Sequence, residues 1–258
     1  MEPAIAQRLI TLNHQFYQTF ARPFSATRQR LQPGVLRILK RLPREADILD
    51  LGCGNGELWH VLGNAGFQGR YVGLDFSPAL LEIAASHPQL PGQAKFLIAD
   101  LAEPEWDAHL PPAAFDFILA FAVLHHLPGS DLHQRLLAKI RSRLAPGGTF
   151  ILSAWQFLNS PRLAARLQPW ERIGLAADQV EPGDYLLDWR QGGSGLRYVH
   201  QFDSDELHSL ARASGFTIIE EFQSDGENGR LGLYQVWQPT IHSLPPSAPA
   251  LPDNNRDG

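Results

Sequence analysis

An alternation of apolar runs and amphipathic segments between residues 46 and 155 constrains the fold more than any other feature. Five short runs rich in Ile, Val, Leu and Phe begin with ADILDL and end with GTFILSAW, and most of the segments between them have apolar residues at helical spacing. Strands separated by helices form a mainly parallel sheet with helices packed on both faces. We therefore predict an α/β fold built on such a sheet.

The segments outside this core have patterns of their own. Two helices are predicted before it, over 3–20 and 34–42, and after Trp155 the alternation lapses for about forty-five residues. Ser204 is then expected to cap a helix that ends at Gly215. The runs FTIIEEF and LGLYQVW, joined by a turn rich in Gly, Asp and Asn, are predicted to pair antiparallel and to bring the sheet to seven strands. These patterns divide the chain into an N-terminal helical lid (1–44), a main domain (45–238) with a substrate-side insertion (156–203), and a proline-rich tail predicted to be disordered (239–258).

A glycine-rich turn follows the first predicted strand, in the stretch ILDLGCGNGEL. Gly52, Gly54 and Gly56 stand at every second position, and Asp50 lies just ahead of them. Glycine is costly in regular structure, so three so close together indicate that a ligand approaches the backbone. A phosphate-binding loop would place Lys and then Ser or Thr after the last glycine, and a dinucleotide fingerprint would have glycine where Glu57 stands. Because an acid is unfavourable beside phosphates, we expect a ligand without them, such as S-adenosylmethionine.

DLGCGNG resembles motif I of the class I S-adenosylmethionine-dependent methyltransferases, and AFAVLHHL and LAPGGTFIL resemble later motifs in that family's order. The resemblance implies a Rossmann-like, seven-stranded, mainly parallel sheet whose last strand is antiparallel, with S-adenosylmethionine as cofactor. It also implies that Asp75 holds both ribose hydroxyls and that Asp100 accepts the adenine amino group, as carboxylates can. The full implied set of cofactor-binding residues is Asp50, Gly52, Gly54, Gly56, Asp75, Asp100, Leu101 and Phe121.

Segments outside the core resemble one subgroup, the eukaryotic tRNA methyltransferases that esterify the carboxymethyl group of a wobble uridine. FSATR before the core, the histidine pair in AVLHH and RYVHQF in the insertion carry this resemblance. It implies tRNA as the acceptor and a small zinc-binding activator protein, which adds to a sheet edge, as a second partner. A carboxylate acceptor is ionised at neutral pH, with a reference pKa of about 4, so it needs orientation rather than a general base. The residues that would orient it, and so be catalytic, are Arg28, His125, His126 and Arg197.

The sequence leaves other interpretations of these residues open. Arg197 could form an ion pair with Asp184 or Asp188 in the insertion instead of binding an acceptor. On a strand, the adjacent residues His125 and His126 point in opposite directions. One of the two histidines is therefore expected to face the cofactor pocket and the other to pack away from it.

Two other functions also remain open. A small-molecule O- or N-methyltransferase would enclose a metabolite under the same lid. A hydroxyl acceptor would then need a base, for which His125, His126 and Tyr17 are the candidates, and Arg28 could be no more than a surface charge. A third interpretation is a scaffold that binds S-adenosylmethionine or nothing at all.

Charge is unevenly distributed in this chain, whose formal net charge is −5. Between Pro3 and Arg44 there are eight Arg or Lys and no acid, whereas from Glu181 onward five basic residues stand against twelve acids. The basic segment could contact phosphate, or it could solvate a helix face. Cys53 is the only cysteine, which excludes an internal disulfide and a multi-cysteine zinc site, and we expect no metal. Because the longest apolar stretch is interrupted by Asp116 and two histidines, we expect no membrane span, and a cytoplasmic location.

Overall fold

Seven strands form the main sheet in the computed structural model, which describes residues 1–27, 30–86 and 93–240. Strands six to eight of the chain belong to a second sheet. The main-sheet strands are β1 (Ile48–Leu51), β2 (Arg70–Asp75), β3 (Gln93–Ile98), β4 (Phe115–Phe121), β5 (Leu144–Trp155), β9 (Phe216–Ser224) and β10 (Gly232–Pro239).

The strand order is β3-β2-β1-β4-β5-β10-β9. β1 to β5 run parallel to one another, and β10 runs antiparallel to both β5 and β9. The predicted sheet of seven mainly parallel strands with an antiparallel last strand is confirmed. The chain leaves β1 towards β2 on one side and reaches β4 on the other, so a crevice opens between their carboxyl ends, where open α/β sheets bind ligands.

Helices cover both faces of this sheet because each strand alternates its side chains between them. In β1, for example, Ile48 packs in one apolar cluster and Leu49 in another on the opposite face. No helix in the described ranges is long and apolar enough to cross a membrane. The helices are α1 (Pro3–Ala26), α2 (Pro33–Leu39), α3 (Glu57–Asn64), α4 (Pro78–Ser86), α5 (Ser130–Arg143), α6 (Pro161–Ala164) and α7 (Ser204–Ala213), with short 3₁₀ turns at Leu124–His126, Phe157–Asn159, Trp170–Ile173 and Ala177–Gln179.

The cap of α7 differs from the prediction by one residue. The side chain of Asp203, not Ser204, accepts a hydrogen bond from the backbone N–H of Glu206, at 2.8 Å. The hydroxyl of Ser204 donates instead to the carboxylate of Glu221 on β9. Since both residue types cap helices well, the sequence did not distinguish the two neighbours.

A second sheet occupies the insertion, where the sequence predicted no regular structure. Its antiparallel strands are β6 (Leu167–Gln168), β7 (Asp184–Trp189) and β8 (Gly195–His200). Helix α1 packs against β8, and the Asn13 side chain accepts from the N–H of Tyr198 and donates to its carbonyl, at 2.8 and 3.1 Å. α1 and the second sheet thus form one layer beside the crevice.

Helix α1 is also longer than the predicted 3–20. It continues to Ala26 through a local break at Phe20, whose φ of −109° and ψ of 17° are not helical, and Pro23 lies in the following turn. From residue 241 onward, the tail predicted to be disordered lies outside the described residues.

Candidate active site

A cavity of about 530 Å³ lies between the carboxyl ends of the parallel strands and helix α1. Asp50 and Asp75 line it from the ends of β1 and β2, and Phe121 lines it from the end of β4. His14 and Tyr17 line it from α1. The crevice of the sheet is thereby converted into a deep pocket with two chemically different ends.

The glycine-rich turn lies at one end of this cavity, which we call the cofactor end. Gly52, Gly54 and Gly56 have φ values of +69°, +56° and +76°, in the left-handed region that favours glycine. A Cβ on Gly54 would meet nothing within 4 Å, so the backbone here is open to a ligand. Gly56 does not line the cavity; it precedes α3, and a Cβ there would lie 2.8 Å from the Cβ of Ala84.

Asp75 is held in place by the same turn. One carboxylate oxygen accepts from the N–H of Gly54 and the other from the N–H of Ser77, both at 2.9 Å. Burial raises the pKa of Asp75 to about 6. Burial also raises the pKa of Asp50 to about 7, against the opposing effect of the Tyr71 hydroxyl that donates to it. A carboxylate has about four acceptor sites, so Asp75 can accept from a ligand hydroxyl in addition to these backbone donors.

Asp100 completes this end, where β3 has finished. Its carboxylate accepts from the N–H of Ala102 at 2.9 Å and lies 3.2 Å from Nε2 of His14. Burial opposes ionisation of Asp100, but these partners outweigh it and its pKa falls below the usual value. The ring of His14 also stacks on Phe76, with centroids 4.6 Å apart. Leu101 and Phe121 line the cavity as predicted.

This end fits the cofactor that the sequence predicts. An open glycine backbone allows the amino-acid portion to approach, and buried carboxylates suit hydroxyl and amino donors and a cationic sulfonium. S-adenosylmethionine offers these groups and carries no phosphate. When bound, it supplies an electrophilic methyl group, and the chain's residues then have to align an acceptor with it.

The histidine pair corrects one sequence prediction. β4 ends at Phe121 because Ala122 has a φ of 58°, and His125 and His126 lie on a 3₁₀ turn rather than on a strand. Both rings line the cavity, with centroids 4.3 Å apart, so the prediction that one packs away was wrong. Nδ1 of His125 lies 3.4 Å from the N–H of Trp155. Nε2 of His126 lies 2.8 Å from the hydroxyl of Tyr17.

Arg197 lies on β8 at the other end of the cavity, which we call the acceptor end. Its side chain is buried, and its guanidinium carbon lies 4.9–5.6 Å from the ring centres of Phe16, Trp155 and Trp189. Within the described residues its guanidinium has no hydrogen bond or ion pair, and Nε is buried without a partner.

The ion pairs that the sequence left open for Arg197 do not form. Asp184 accepts instead from the hydroxyl of Tyr198 and pairs with His200, whereas Asp188 pairs with Arg190. Arg28 lies outside the described residues, so its predicted role stays a prediction.

Two residues that sequence reasoning missed are Asn13 and His14 on α1. The predicted helix was assigned by its apolar stripe, and polar residues beside such a stripe are usually solvated. Ile10, Asn13, His14 and Tyr17 nevertheless fall at helical spacing and together line the cavity. This second stripe on α1, which combines apolar and polar residues, was the signal in the sequence that could have identified them.

Comparison with known proteins agrees with this geometry. A family model described as a methyltransferase domain matches residues 24–221. The chain belongs to the class I S-adenosylmethionine-dependent methyltransferases, and S-adenosylmethionine is its cofactor.

Particular relatives give a finer picture. The chain is similar to the tRNA (carboxymethyluridine(34)-5-O)-methyltransferase of Schizosaccharomyces pombe, at 26% identity over 80% of this chain and 89% of that protein. It is also similar to the trans-aconitate 2-methyltransferase of Acidovorax ebreus, at 35% identity over 58% of this chain and 57% of that protein. A solved complex of the Haloferax volcanii Trm112 methyltransferase activator with a methyltransferase matches at 18% identity and a TM-score of 0.61, over 88% of this chain and 97% of that one.

Proposed function

We propose that this methyltransferase esterifies a carboxylate, and that its acceptor is the carboxymethyl group of a tRNA wobble uridine. The observation that carries the proposal is the buried Arg197, which lines the acceptor end without a counterion among the described residues. A buried cation is costly unless it is paired. A carboxylate can receive two parallel hydrogen bonds from a guanidinium, which would offset that cost and orient the acceptor.

The aromatic rings around Arg197 support the same assignment. Phe16, Trp155 and Trp189 present their faces to the guanidinium, which holds it in one place and restricts water around it. In such surroundings an ion pair is stronger than in bulk water. Since the carboxylate is already ionised, alignment with the methyl group is the main task left to the protein.

Both curated relatives are consistent with this chemistry. Their names describe acceptors that carry carboxyl groups, carboxymethyluridine in tRNA for one and trans-aconitate for the other. We favour tRNA because the similarity to the tRNA enzyme extends over 80% of this chain, against 58% for the other. The segments FSATR and RYVHQF contribute Phe24 and Arg197 to the cavity lining.

The proposal is tested by offering both acceptors with labelled S-adenosylmethionine. We expect label in tRNA whose wobble uridine carries a carboxymethyl group, recovered after digestion as the methyl ester of that nucleoside. The same tRNA with an unmodified wobble uridine is the matched control and should stay unlabelled. Label in trans-aconitate alone would contradict the tRNA assignment, and label in neither would contradict the carboxylate assignment.

Hydroxyl methylation is a second candidate, favoured by the contact between Tyr17 and His126. Their 2.8 Å separation beside the cavity would suit a base that removes a proton from an acceptor. A base of this kind would make turnover rise with pH and collapse in His126→Gln. With a carboxylate acceptor, we expect turnover in that variant to keep the pH profile of the unmodified protein.

We also propose a small activator protein as a partner, bound at the free edge of β3. β3 ends the sheet, and Ile98 on it is 59% exposed. Mixing the purified chain with the Haloferax volcanii activator and measuring the complex by size-exclusion chromatography tests this. Ile98→Arg should abolish the complex, whereas Ile219→Arg, at a 53% exposed position on the opposite edge strand β9, should not. The reverse result would contradict the β3 assignment.

A further inference from the structure

Two arginines of the insertion, Arg162 and Arg166, lie at the acceptor end and are not used by the function proposed above. We propose that they form a second anion site, which holds a backbone phosphate of the RNA acceptor next to the nucleotide being methylated. This inference rests on the proposed function and adds to it the residues that would distinguish an RNA from a free nucleoside.

The positions of these arginines place them at the mouth of the cavity. Arg162 is in α6, which ends at Ala164, and Arg166 lies in the turn that joins α6 to β6. Both line the cavity together with Leu163 between them, yet Arg162 is exposed and Arg166 half-buried. Arg197, in contrast, is 5% exposed. The cationic groups thus run from the buried Arg197 outward to the surface.

Their charges are not neutralised by the protein. Within the described ranges, neither guanidinium makes a hydrogen bond or an ion pair. Two other surface arginines differ in this respect, because Arg37 and Arg41 both bind Glu220, at 2.8 and 2.5 Å. Both guanidinium groups can therefore donate to an anion from outside the protein.

The acids that line the cavity lie elsewhere or are already occupied. Asp50, Asp75 and Asp100 belong to the cofactor end, with Glu57 at the start of α3 beside the glycine turn. Asp225 also lines the cavity, but its oxygens accept from the hydroxyl of Tyr234 at 2.6 Å and the N–H of Gly34 at 2.9 Å. Among the lining residues that the cofactor end does not use, Arg162, Arg166 and Arg197 outnumber the single acid Asp225, a balance of charge that favours an anionic acceptor.

The acceptor carboxylate lies inside the cavity at Arg197, so an anion bound by Arg162 and Arg166 has to lie farther out, towards the surface. A single carboxylate can satisfy the planar guanidinium of the buried Arg197. The exposed position of Arg162 then requires an acceptor that extends from the cavity to the surface. An RNA strand does so, because its phosphates follow the modified nucleotide along the chain, and arginine suits phosphate through its forked donors.

The test is a double variant, Arg162→Gln with Arg166→Gln, assayed on two acceptors that differ only in their phosphates. One is an anticodon stem-loop RNA that carries carboxymethyluridine, and the other is the free carboxymethyluridine nucleoside. For the RNA we expect KM to rise roughly tenfold while kcat stays unchanged, as for lost phosphate contacts. For the nucleoside we expect neither constant to change.

Salt dependence gives an independent measurement. Binding of the stem-loop, followed by fluorescence anisotropy at several salt concentrations, should show a log–log slope that is smaller by about 0.7 for each arginine removed. The control is Arg135→Gln with Arg212→Gln, two exposed arginines on α5 and α7 that do not line the cavity. That control should keep the slope and KM of the unmodified protein.

The outcomes separate this proposal from the one on which it rests. An unchanged salt slope and RNA KM in the double variant would overturn the phosphate site. An equal rise of KM for the nucleoside would also overturn it, because the arginines would then act inside the cavity. If the unmodified protein transfers no methyl group to either acceptor but the slope difference persists, the acceptor assignment fails and the phosphate site stands.

Discussion

The two ends of the cavity are built in opposite ways. At the cofactor end, strand ends and a glycine turn fix the carboxylates, and backbone N–H groups satisfy Asp75 and Asp100 in advance. At the acceptor end, side chains from α1 and the second sheet surround Arg197, whose guanidinium has no partner among the described residues. The protein itself thus provides hydrogen bonds to the carboxylates of the cofactor end, whereas at the acceptor end it provides none to the guanidinium of Arg197 within the described residues. In the function proposed above, the strand ends of the sheet bind the cofactor, and the segments added to the sheet select the acceptor.

The largest effect should come from Arg197→Met, which keeps an apolar stem and removes the charge. Loss of one partner from a buried charge pair costs about 2–5 kcal/mol, so we expect kcat/KM for the acceptor to fall by roughly 100-fold. Affinity for S-adenosylhomocysteine, measured by calorimetry, should not change. Arg190→Met is the control, since Arg190 directly follows β7, is exposed and, among the described residues, binds Asp188 alone. A large loss of cofactor affinity in Arg197→Met would show that the two ends are not separate.

Asp75→Ala should weaken binding of the cofactor and leave the acceptor end unchanged, the converse of Arg197→Met. It removes the carboxylate predicted to accept from the ribose hydroxyls, and we expect a loss of about 1–3 kcal/mol in affinity for S-adenosylhomocysteine. In contrast to Arg197→Met, kcat/KM should fall only at subsaturating cofactor. Unchanged affinity, again by calorimetry, would mean that Asp75 is the wrong acid.

The pH dependence of cofactor binding should follow the raised pKa of Asp75, about 6. Above that pH the carboxylate is ionised and can accept from two hydroxyls, and below it a proton competes with them. We therefore expect the Kd of S-adenosylhomocysteine to rise by about tenfold for each pH unit below 6. Asp50, with a pKa of about 7, shifts in the same direction and can steepen the change. Asp75→Ala should lower the steepness, and an equally steep profile in that variant would assign the effect elsewhere.

The smallest effect should come from His14→Ala. His14 joins α1 to Asp100 across the top of the cofactor end, and both side chains are partly exposed, at 29% and 24%. Such a pair contributes about 0.5–1 kcal/mol. We expect a few-fold increase in the dissociation rate of S-adenosylhomocysteine, measured by stopped flow. His208→Ala, at an exposed position on α7, should leave that rate unchanged.

The sequence predicts the residues of the cofactor end better than those of the acceptor end, because the two ends are built from contacts of different range along the chain. The cofactor end depends on short-range patterns: a buried strand, glycines that allow positive φ, and an acid where each strand stops. Those patterns predicted β1 to β5, and the family resemblance then pointed to Asp50, Asp75 and Asp100, all three of which line the cavity.

The acceptor end depends on contacts between distant segments, which local patterns do not reveal. β7 and β8 lack the alternation of a half-solvated strand because α1 and other apolar residues cover them, so the second sheet was not predicted. The histidine pair was placed on a strand because nothing in the sequence marks Ala122 for a positive φ. Asn13 and His14 become part of the site only when α1 packs over the sheet.

The chemistry of the transferred methyl group tests the central claim most directly. After reaction of labelled S-adenosylmethionine with RNA that carries carboxymethyluridine, the product is treated with dilute alkali. A methyl group on a carboxylate forms an ester, so the label should be released as methanol, and RNA treated with Arg197→Met for the same time should carry far less of this alkali-labile label. Label that stays on the acceptor after alkali would indicate a methylated hydroxyl or nitrogen and would contradict the role assigned to Arg197.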